Sequence, residues 1–151
     1  MKTERLSLNI HQSTFNDFAE SLLQSSFMNW TKAQIQECLS LYQVWAVIQS
    51  GQIYCALCVR SVDQNWEILW VQTRPDCLKA GFATRLIRHW LDNASHSSAE
   101  VWLEVHEMNL PALKLYEKLE FTKHSFRKNY YPDGAGAHVM RGQLGAQKRL
   151  S

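Results

Sequence analysis

The stretch from residue 101 to residue 132 constrains the fold of this 151-residue chain more than any other. Its pattern predicts a buried strand that ends on a carboxylate, Glu104, and then a capped helix that carries Tyr116. A second strand follows and closes on Tyr130 and Tyr131. A carboxylate and a phenol held on adjacent rigid elements can act as a general base and a general acid. Such a pair suits acyl transfer from a thioester to an amine, in which one proton is removed and another is supplied.

The rest of the chain predicts further strands and helices that complete a mixed sheet. Together with the two strands just described, the predicted strands span 5–11, 44–49, 52–62, 66–73, 100–105, 122–130 and 137–142. The predicted helices begin at Thr14, at Thr31, after a loop over 74–80, and at Asn109. We therefore predict an α/β (α+β) fold with a mixed, mostly antiparallel seven-stranded sheet flanked by four helices. Only the strand–loop–helix–strand unit in the middle of the chain is expected to make a parallel crossover.

Length and composition predict a single domain over 1–143, followed by a flexible tail over 144–151. A chain of 151 residues can bury a real core, and a hydrophobic content of 46% argues against disorder. No apolar run approaches the ~20 residues of a membrane span, and the N-terminus lacks the apolar segment of a secretory signal. These observations favour a cytoplasmic protein without a membrane partner. A net charge of +2 is too small to favour direct binding of nucleic acid.

The cysteines and histidines predict no metal site. Cys55 and Cys58 form a C-x-x-C, but they lie in a predicted strand, where a spacing of three residues puts them on opposite faces. A zinc or redox pair needs a turn at this place and usually further ligands. Cys38 and Cys77 have no partner motif, and the six histidines show no ligand spacing. We therefore expect buried or incidental thiols.

A candidate phosphate-binding loop follows the strand that ends at Thr73. Gly81 lets the backbone approach a ligand closely, and Ala83 is nearly as small. The helix that begins here exposes unpaired N–H groups and the positive end of its dipole, which together favour a pyrophosphate. Lys79 and Arg85 add positive charge. The alternative is an ordinary helix start, because one glycine before a helix is common.

A recognisable set of residues extends from the predicted base to the end of the last motif. Its members are Trp102, Leu103, Glu104, Val105, Asn109, Ala112, Leu115, Tyr116, Glu117, Phe121, Arg127, Asn129, Tyr130, Tyr131 and Pro132. With this set, the chain resembles the Gcn5-related N-acetyltransferases over residues 30–140. The Asn-Tyr-Tyr ending is more particular to the bacterial branch that acetylates the N-terminal alanine of a small-subunit ribosomal protein.

The resemblance implies direct transfer of acetyl from acetyl-CoA to the N-terminal amine of a ribosomal protein. Glu104 would accept the proton of the amine, and Tyr116 would donate a proton to the departing CoA thiolate. The residues implied in binding acetyl-CoA are Val71, Gln72, Thr73, Lys79, Ala80, Gly81, Phe82, Ala83, Thr84 and Asn109. Of these, 71–73 would offer main-chain groups to the pantetheine, and 79–84 would hold the pyrophosphate.

Three residues depart from the family pattern. Leu78 stands where the phosphate loop usually opens with Gln or Arg, which affects the expected affinity for CoA. His106 replaces an Arg that follows the Leu-Glu-Val strand, which affects the expected recognition of the peptide. Glu120 replaces the usual glycine before Phe121, and a left-handed backbone there would cost a non-glycine residue about 1 kcal/mol.

Several alternatives stay open for the candidate residues. A carboxylate at a strand end is often paired with Lys or Arg, so Glu104 can also be structural. Tyr116 lies on the apolar side of its helix and can be part of the core. Tyr130 and Tyr131 can shape a peptide slot or pack across strands. The alternative functions are acetylation of a lysine side chain or a small amine, and noncatalytic binding of acyl-CoA.

Overall fold

The computed structural model describes residues 1–23, 25, 27–94 and 99–144. Within these ranges, the strands are β1 (Lys2–Arg5), β2 (Gln43–Gln49), β3 (Gln52–Val62), β4 (Asn65–Thr73), β5 (Glu100–His106), β6 (Thr122–Arg127) and β7 (Ala137–Gln143). The helices are α1 (Leu8–Ser21), α2 (Lys32–Leu41), α3 (Phe82–Asn93) and α4 (Leu110–Lys118), with a short 3-10 helix at Pro75–Cys77. The strands form one sheet in the order β1-β2-β3-β4-β5-β7-β6. The predicted α/β fold with a mixed seven-stranded sheet and four helices is confirmed.

Among the strand pairs that the structure describes, the sheet combines a parallel pair with antiparallel pairs. β4 and β5 run parallel, with Trp66 opposite Val101 and Ile68 opposite Leu103. α3 connects these two strands along the chain, as the predicted crossover requires. The pairs β1–β2, β2–β3, β5–β7 and β6–β7 are antiparallel.

The described residues cluster into two compact units, each with its own buried side chains. The first unit comprises Met1–Arg60 and Trp70–Trp90, and the second comprises Ser61–Leu69 and the described part of Leu91–Ser151. In the first unit, the largest fully buried side chains are Phe15, Leu22, Ile35, Val44, Val47, Leu57, Leu86, Ile87 and Trp90. In the second unit, they are Leu103, Met140 and Leu144.

The N-terminal elements differ from the sequence prediction. The predicted strand over 5–11 and the predicted helix start at Thr14 are wrong, because β1 ends and α1 begins within that span. Ser7 is the N-cap of α1 with an extended backbone, and its N–H donates to Nδ1 of His11 at 2.9 Å. Ile10 is 76% exposed, so the alternation of apolar residues in this stretch does not mark one buried face.

α2 begins where the sequence predicts, through a capping box. The Oγ1 of Thr31 accepts the N–H of Gln34 at 3.2 Å, and the Oε1 of Gln34 accepts the N–H of Thr31 at 2.8 Å. Two of the N–H groups that a helix start leaves unpaired are thereby satisfied. Ile35 and Cys38 are buried on the inward face of this helix.

α4 is capped at both ends. At its start, the Oδ1 of Asn109 accepts the N–H of Ala112 at 3.3 Å, as expected of an N-cap. At its end, Glu120 has a φ of 69°, so the position does require a left-handed backbone. Backbone hydrogen bonds from Glu120 and Phe121 to the last turn complete a Schellman motif.

The strand predicted to close on Tyr130 and Tyr131 ends earlier. β6 stops at Arg127, and Asn129 has a left-handed backbone with a φ of 51°. Tyr130 and Tyr131 therefore lie in the turn after the strand, where both N–H groups donate to the carbonyl oxygen of Ala135 at 3.0 Å. The two tyrosines form no cross-strand pairs, because neither belongs to a strand.

Three predictions about the whole chain stay predictions: the single domain over 1–143, the flexible tail and the cytoplasmic location. Leu144, the first residue of the predicted tail, is buried and donates its N–H to the carbonyl oxygen of Ala99 at 2.9 Å. The other tail residues, 145–151, lie outside the described ranges. No helix among the described residues is both long and apolar enough to cross a bilayer.

Candidate active site

β5 presents the carboxylate that the sequence predicts as a base. Side chains alternate along the strand, so Val101, Leu103 and Val105 are buried on one face. Glu104 lies on the other face, opposite Val139 of β7, and its side chain is 24% exposed. The carboxylate is therefore partly exposed to solvent although its strand lies inside the sheet, between β4 and β7.

Two side chains contact the carboxylate of Glu104. Arg127, the last residue of β6, places its Nε 3.4 Å from the Oε1 of Glu104. Hydrogen bonding to Glu104, burial and the charge of Glu104 raise the pKa of Tyr130. The ion pair considered as an alternative for Glu104 is therefore present. A carboxylate accepts about four hydrogen bonds, so these contacts leave capacity for an amine or a water molecule.

Tyr130 and Tyr131 form an aromatic pair beside this carboxylate. Their ring centroids are 5.2 Å apart at an interplanar angle of 83°. The guanidinium of Arg127 lies 5.4 Å from the ring centroid of Tyr130. Burial and the charge of Glu104 raise the pKa of Tyr131 to about 12. Both phenols therefore keep their protons at neutral pH and can donate hydrogen bonds.

Tyr116, the predicted proton donor, belongs to the buried face of α4. It is 5% exposed, and its ring packs edge-on against Phe121 with centroids 5.6 Å apart. Most of its side chain is therefore core, which agrees with the packing alternative. The role of its hydroxyl as a proton donor stays a prediction.

The predicted phosphate-binding loop lies in the first unit, where α3 begins. Lys79 and Gly81 have left-handed backbone, with φ angles of 65° and 79°. The carbonyl oxygen of Gly81 accepts the N–H of Arg85 at 3.1 Å, which places Gly81 at the start of the helix. A Cβ on Gly81 would meet no atom within 4 Å, so the loop is open there. The first N–H groups of α3 have no acceptor within the helix, and this arrangement fits a pyrophosphate.

The other residues predicted to bind acetyl-CoA belong to two different units of the chain. Those in the first unit lie at the end of β4 or in the loop and first turn of α3: Val71, Gln72, Thr73, Ala80, Phe82, Ala83 and Thr84. Asn109 belongs to the second unit, where it caps α4. The hydroxyl of Thr73 donates to the Sγ of Cys55 at 3.3 Å, so this side chain already has a hydrogen-bond partner within the protein.

Arg74 forms a cluster of contacts in the loop before α3 that the sequence analysis does not predict. The one local sign of this cluster is Asp76, an acidic residue two positions later. The Nε and Nη2 of Arg74 donate to the two carboxylate oxygens of Asp76 at 2.6 and 2.9 Å, and its Nη1 donates to Gln52 at 3.0 Å. The guanidinium lies 4.8 Å from the ring centroid of Tyr54, which meets Phe82 edge-on at 5.6 Å. The hydrogen bonds between Arg74 and Asp76 raise the pKa of Arg74 and lower the pKa of Asp76. This cluster ties the loop before α3 to β3.

The four cysteines are free thiols that differ in burial. Cys38, Cys55 and Cys58 are buried, whereas Cys77 is half-buried, and all four are free. A hydrogen bond with Cys38 and burial raise the pKa of Cys58, and burial raises the pKa of Cys55 to about 12. In the part of the chain that the structure describes, no group of three His, Cys, Asp or Glu side chains could hold a metal ion.

The chain belongs to the acetyltransferase (GNAT) family, whose model matches residues 9–121. The resemblance carried by the sequence motifs is thereby confirmed. Enzymes of this family use acetyl-CoA as the acetyl donor.

Individual relatives share modest sequence identity with parts of this chain. The chain is 29% identical over 96 residues to the ribosomal protein bS18-alanine N-acetyltransferase of Escherichia coli K12, a match that covers 63% of this chain. The chain thus spans 65% of the length of the first curated relatives it matches. An N-alpha-acetyltransferase of Saccharolobus solfataricus is 39% identical over 64 residues, which cover 41% of this chain and 38% of that one.

A solved structure confirms the fold over nearly the whole chain. The crystal structure of the ribosomal-protein-S18-alanine N-acetyltransferase from Escherichia coli has a TM-score of 0.78 to this chain at 23% identity. The match covers 95% of this chain and 94% of that chain. At this identity, the likeness concerns the fold alone.

Proposed function

We propose that this protein is an acetyl-CoA-dependent N-α-acetyltransferase whose acceptor is the N-terminal alanine of a small-subunit ribosomal protein. The observation that carries the proposal is the partly exposed carboxylate of Glu104, which lies beside two protonated phenols and a guanidinium. The relatives named as an alanine N-acetyltransferase and an N-alpha-acetyltransferase support the same class of acceptor.

The chemistry of the acceptor favours an α-amine over a lysine side chain. Only the neutral amine can attack a thioester, and the reference pKa is about 8 for an α-amine against about 10.4 for lysine. At pH 7, roughly a tenth of the α-amine is already neutral, whereas well under about a hundredth of the lysine is. A carboxylate base of ordinary strength is therefore sufficient for a protein N-terminus.

In the proposed reaction, the amine nitrogen attacks the acetyl carbonyl, a C–N bond forms and the C–S bond to CoA breaks. Glu104 accepts the proton that the amine loses, directly or through a water molecule. Tyr116 donates a proton to the departing thiolate. Main-chain groups over 71–73 and the loop over 79–84 bind acetyl-CoA, together with Asn109.

The two proton-transfer roles are tested with Glu104→Gln and Tyr116→Phe. Each variant is expected to lower kcat about 100-fold or more, because each removes a general acid or base. The affinity for acetyl-CoA, measured by titration calorimetry, is expected to stay near the wild-type value. Glu117→Gln on the outside of α4 and Tyr42→Phe after α2 are matched controls with wild-type turnover. Undiminished turnover in both site variants would contradict the assigned roles.

The acceptor is tested with a panel of amines in the same assay. The panel contains alanine-initiated peptides, N-terminally blocked peptides with one lysine, and polyamines. Turnover of the alanine-initiated peptides supports the proposal, whereas turnover of lysine peptides or polyamines alone would establish the alternative acceptor. Binding of acetyl-CoA without turnover of any amine would establish the noncatalytic alternative. Mass spectrometry of ribosomal proteins from cells with and without the gene then identifies the natural acceptor by its missing acetyl group.

A further inference from the structure

His106 ends β5 two residues after Glu104, on the same face of the strand. Its side chain is 6% exposed, and its Nδ1 accepts the N–H of Met108 at 3.0 Å. Because Nδ1 accepts, the ring proton is assigned to Nε2, which lies 2.7 Å from the Oδ2 of Asp133 and donates to it. The imidazole is therefore held in one tautomer and one orientation.

Asp133 connects this imidazole to the turn that carries the tyrosine pair. Its Oδ1 accepts the N–H of Ala135 at 2.9 Å, and the carbonyl oxygen of Ala135 accepts the N–H groups of Tyr130 and Tyr131 at 3.0 Å. The hydrogen bonds from His106 and from the backbone of Ala135 lower the pKa of Asp133, so the carboxylate is charged at neutral pH. One carboxylate thus joins the end of β5 to the backbone of the turn.

The imidazole also contacts the tyrosine pair directly. The ring of His106 stacks on Tyr131, with centroids 4.8 Å apart and an interplanar angle of 27°. Tyr131 meets Tyr130 edge-on, and the interaction of Tyr130 with Glu104 raises the pKa of Tyr130. A continuous set of contacts therefore leads from His106 through both tyrosines and back to the carboxylate on the same strand.

We infer that His106 and Asp133 are positioning residues that hold Tyr130 and Tyr131 as one wall of the acceptor site, and so set the affinity for the acceptor peptide. This inference rests on the proposed function. In it, neither His106 nor Asp133 contacts the reacting atoms. A turn that is ordered before binding loses less conformational entropy when a peptide binds. Loss of the His106–Asp133 hydrogen bond therefore weakens peptide binding and leaves the chemical step unchanged.

The test compares steady-state kinetics of the wild type, His106→Leu, Asp133→Asn and the double variant on an alanine-initiated peptide. Each single variant is expected to raise the KM for the peptide about tenfold, as for loss of one charge-assisted hydrogen bond. The kcat and the KM for acetyl-CoA are expected to stay within about twofold, because Glu104 and the loop over 79–84 are unchanged in these variants. The double variant is expected to raise the KM for the peptide no further than the more affected single variant, because both substitutions disrupt the same His106–Asp133 pair.

Two further variants separate positioning from general damage to the fold. His106→Gln keeps an N–H donor for Asp133 and is expected to recover part of the peptide affinity. Asp92→Asn, an exposed change on α3, is the matched control for Asp133→Asn and is expected to have wild-type kinetics. The side chain of Asp133 is 60% exposed, so Asp133→Asn carries the test if His106→Leu does not fold.

NMR of the imidazole nitrogens provides a readout that does not depend on turnover. The wild type is expected to show the Nε2-protonated neutral tautomer of His106, and Asp133→Asn is expected to shift the Nε2–H resonance. Folded variants with an unchanged KM for the peptide, or with a loss confined to kcat, would overturn the inference and leave the proposed function standing. A wild type that acetylates no peptide N-terminus would overturn the proposed function and this inference with it.

Discussion

Glu120 has a backbone conformation that a residue with a Cβ adopts at a cost. Its φ of 69° lies in the left-handed region, which costs about 1 kcal/mol relative to glycine. The conformation is imposed by the end of α4, where the N–H of Glu120 donates to the carbonyl oxygen of Glu117 at 3.0 Å. The N–H of Phe121 donates to the carbonyl oxygen of Tyr116 at 2.9 Å, and their rings make the hydrophobic contact typical of this motif.

Replacement of Glu120 by glycine is therefore expected to stabilise the protein. Glu120→Gly should raise the free energy of unfolding by up to about 1 kcal/mol, measured by urea denaturation, because it relieves the left-handed strain. Glu117→Gly is the matched control inside α4, and it should lower the same free energy by about 1 kcal/mol. A loss of similar size in both variants would show that the position is not strained.

At the scale of elements, Gly136 lets the turn after β6 return into β7. A Cβ at this position would collide with the ring of Phe126 and would lie 2.8 Å from the carbonyl oxygen of Arg127. Gly136 is also joined to Glu107 after β5, through an N–H to carboxylate bond at 2.8 Å and a backbone bond at 2.9 Å. The end of β6, the residue before β7 and the residue after β5 therefore approach one another closely around a residue without a side chain.

The cost of a side chain at this position is a prediction about the packing of β6 and β7. Gly136→Ala should lower the free energy of unfolding by about 1–3 kcal/mol, measured by urea denaturation, because the neighbouring atoms must move. In a Phe126→Ala background the cost should shrink without vanishing, since the carbonyl oxygen of Arg127 remains. Gly142→Ala is the control: its Cβ would lie 3.1 Å from the ring of Phe121, and it should cost less. Equal costs at the two glycines would contradict this account.

At the scale of the whole molecule, several acids with raised pKa values make the stability of the fold decrease at alkaline pH. The pKa values of Tyr130, Tyr131 and Cys55 are all raised, with Tyr131 and Cys55 at about 12. An unfolded tyrosine has a pKa of about 10, so between these values the folded chain binds the proton of Tyr131 more tightly. The stability that this difference contributes is complete below about pH 10 and is lost as the pH rises to about 12.

Tyr131→Phe removes one of these titrating groups without removing the ring. In urea denaturation at several pH values, its free energy of unfolding should fall less steeply than that of the wild type between about pH 10 and pH 12. The difference between the two slopes is at most about 1.4 kcal/mol per pH unit, the value for one proton. Any difference between the two free energies of unfolding at neutral pH reflects the loss of the hydroxyl itself, and it is subtracted before the slopes are compared. Parallel curves for the two proteins would show that Tyr131 titrates normally.

Local sequence patterns were sufficient to predict most elements of the fold and the position of the candidate base, Glu104. Thr31 with Gln34 and Asn109 mark helix starts through contacts that span three residues, so the chain needs no distant partner to form them. Strand alternation likewise places Glu104 on the face opposite Leu103. The start of α1 is not predicted from the sequence because a hydrogen bond from the N–H of Ser7 to a histidine ring is not a common capping pattern.

The sequence by itself determined the family, the sheet and the carboxylate of Glu104, whereas only the tertiary structure decided what surrounds that carboxylate. Arg127 and Tyr130 reach Glu104 from the end of β6, and Asp133 reaches His106 from 27 residues away. These contacts require the register of β5, β7 and β6 and the turn that follows β6. Hydrogen bonds between residues so far apart form only once the strands are paired, so no local pattern could predict them.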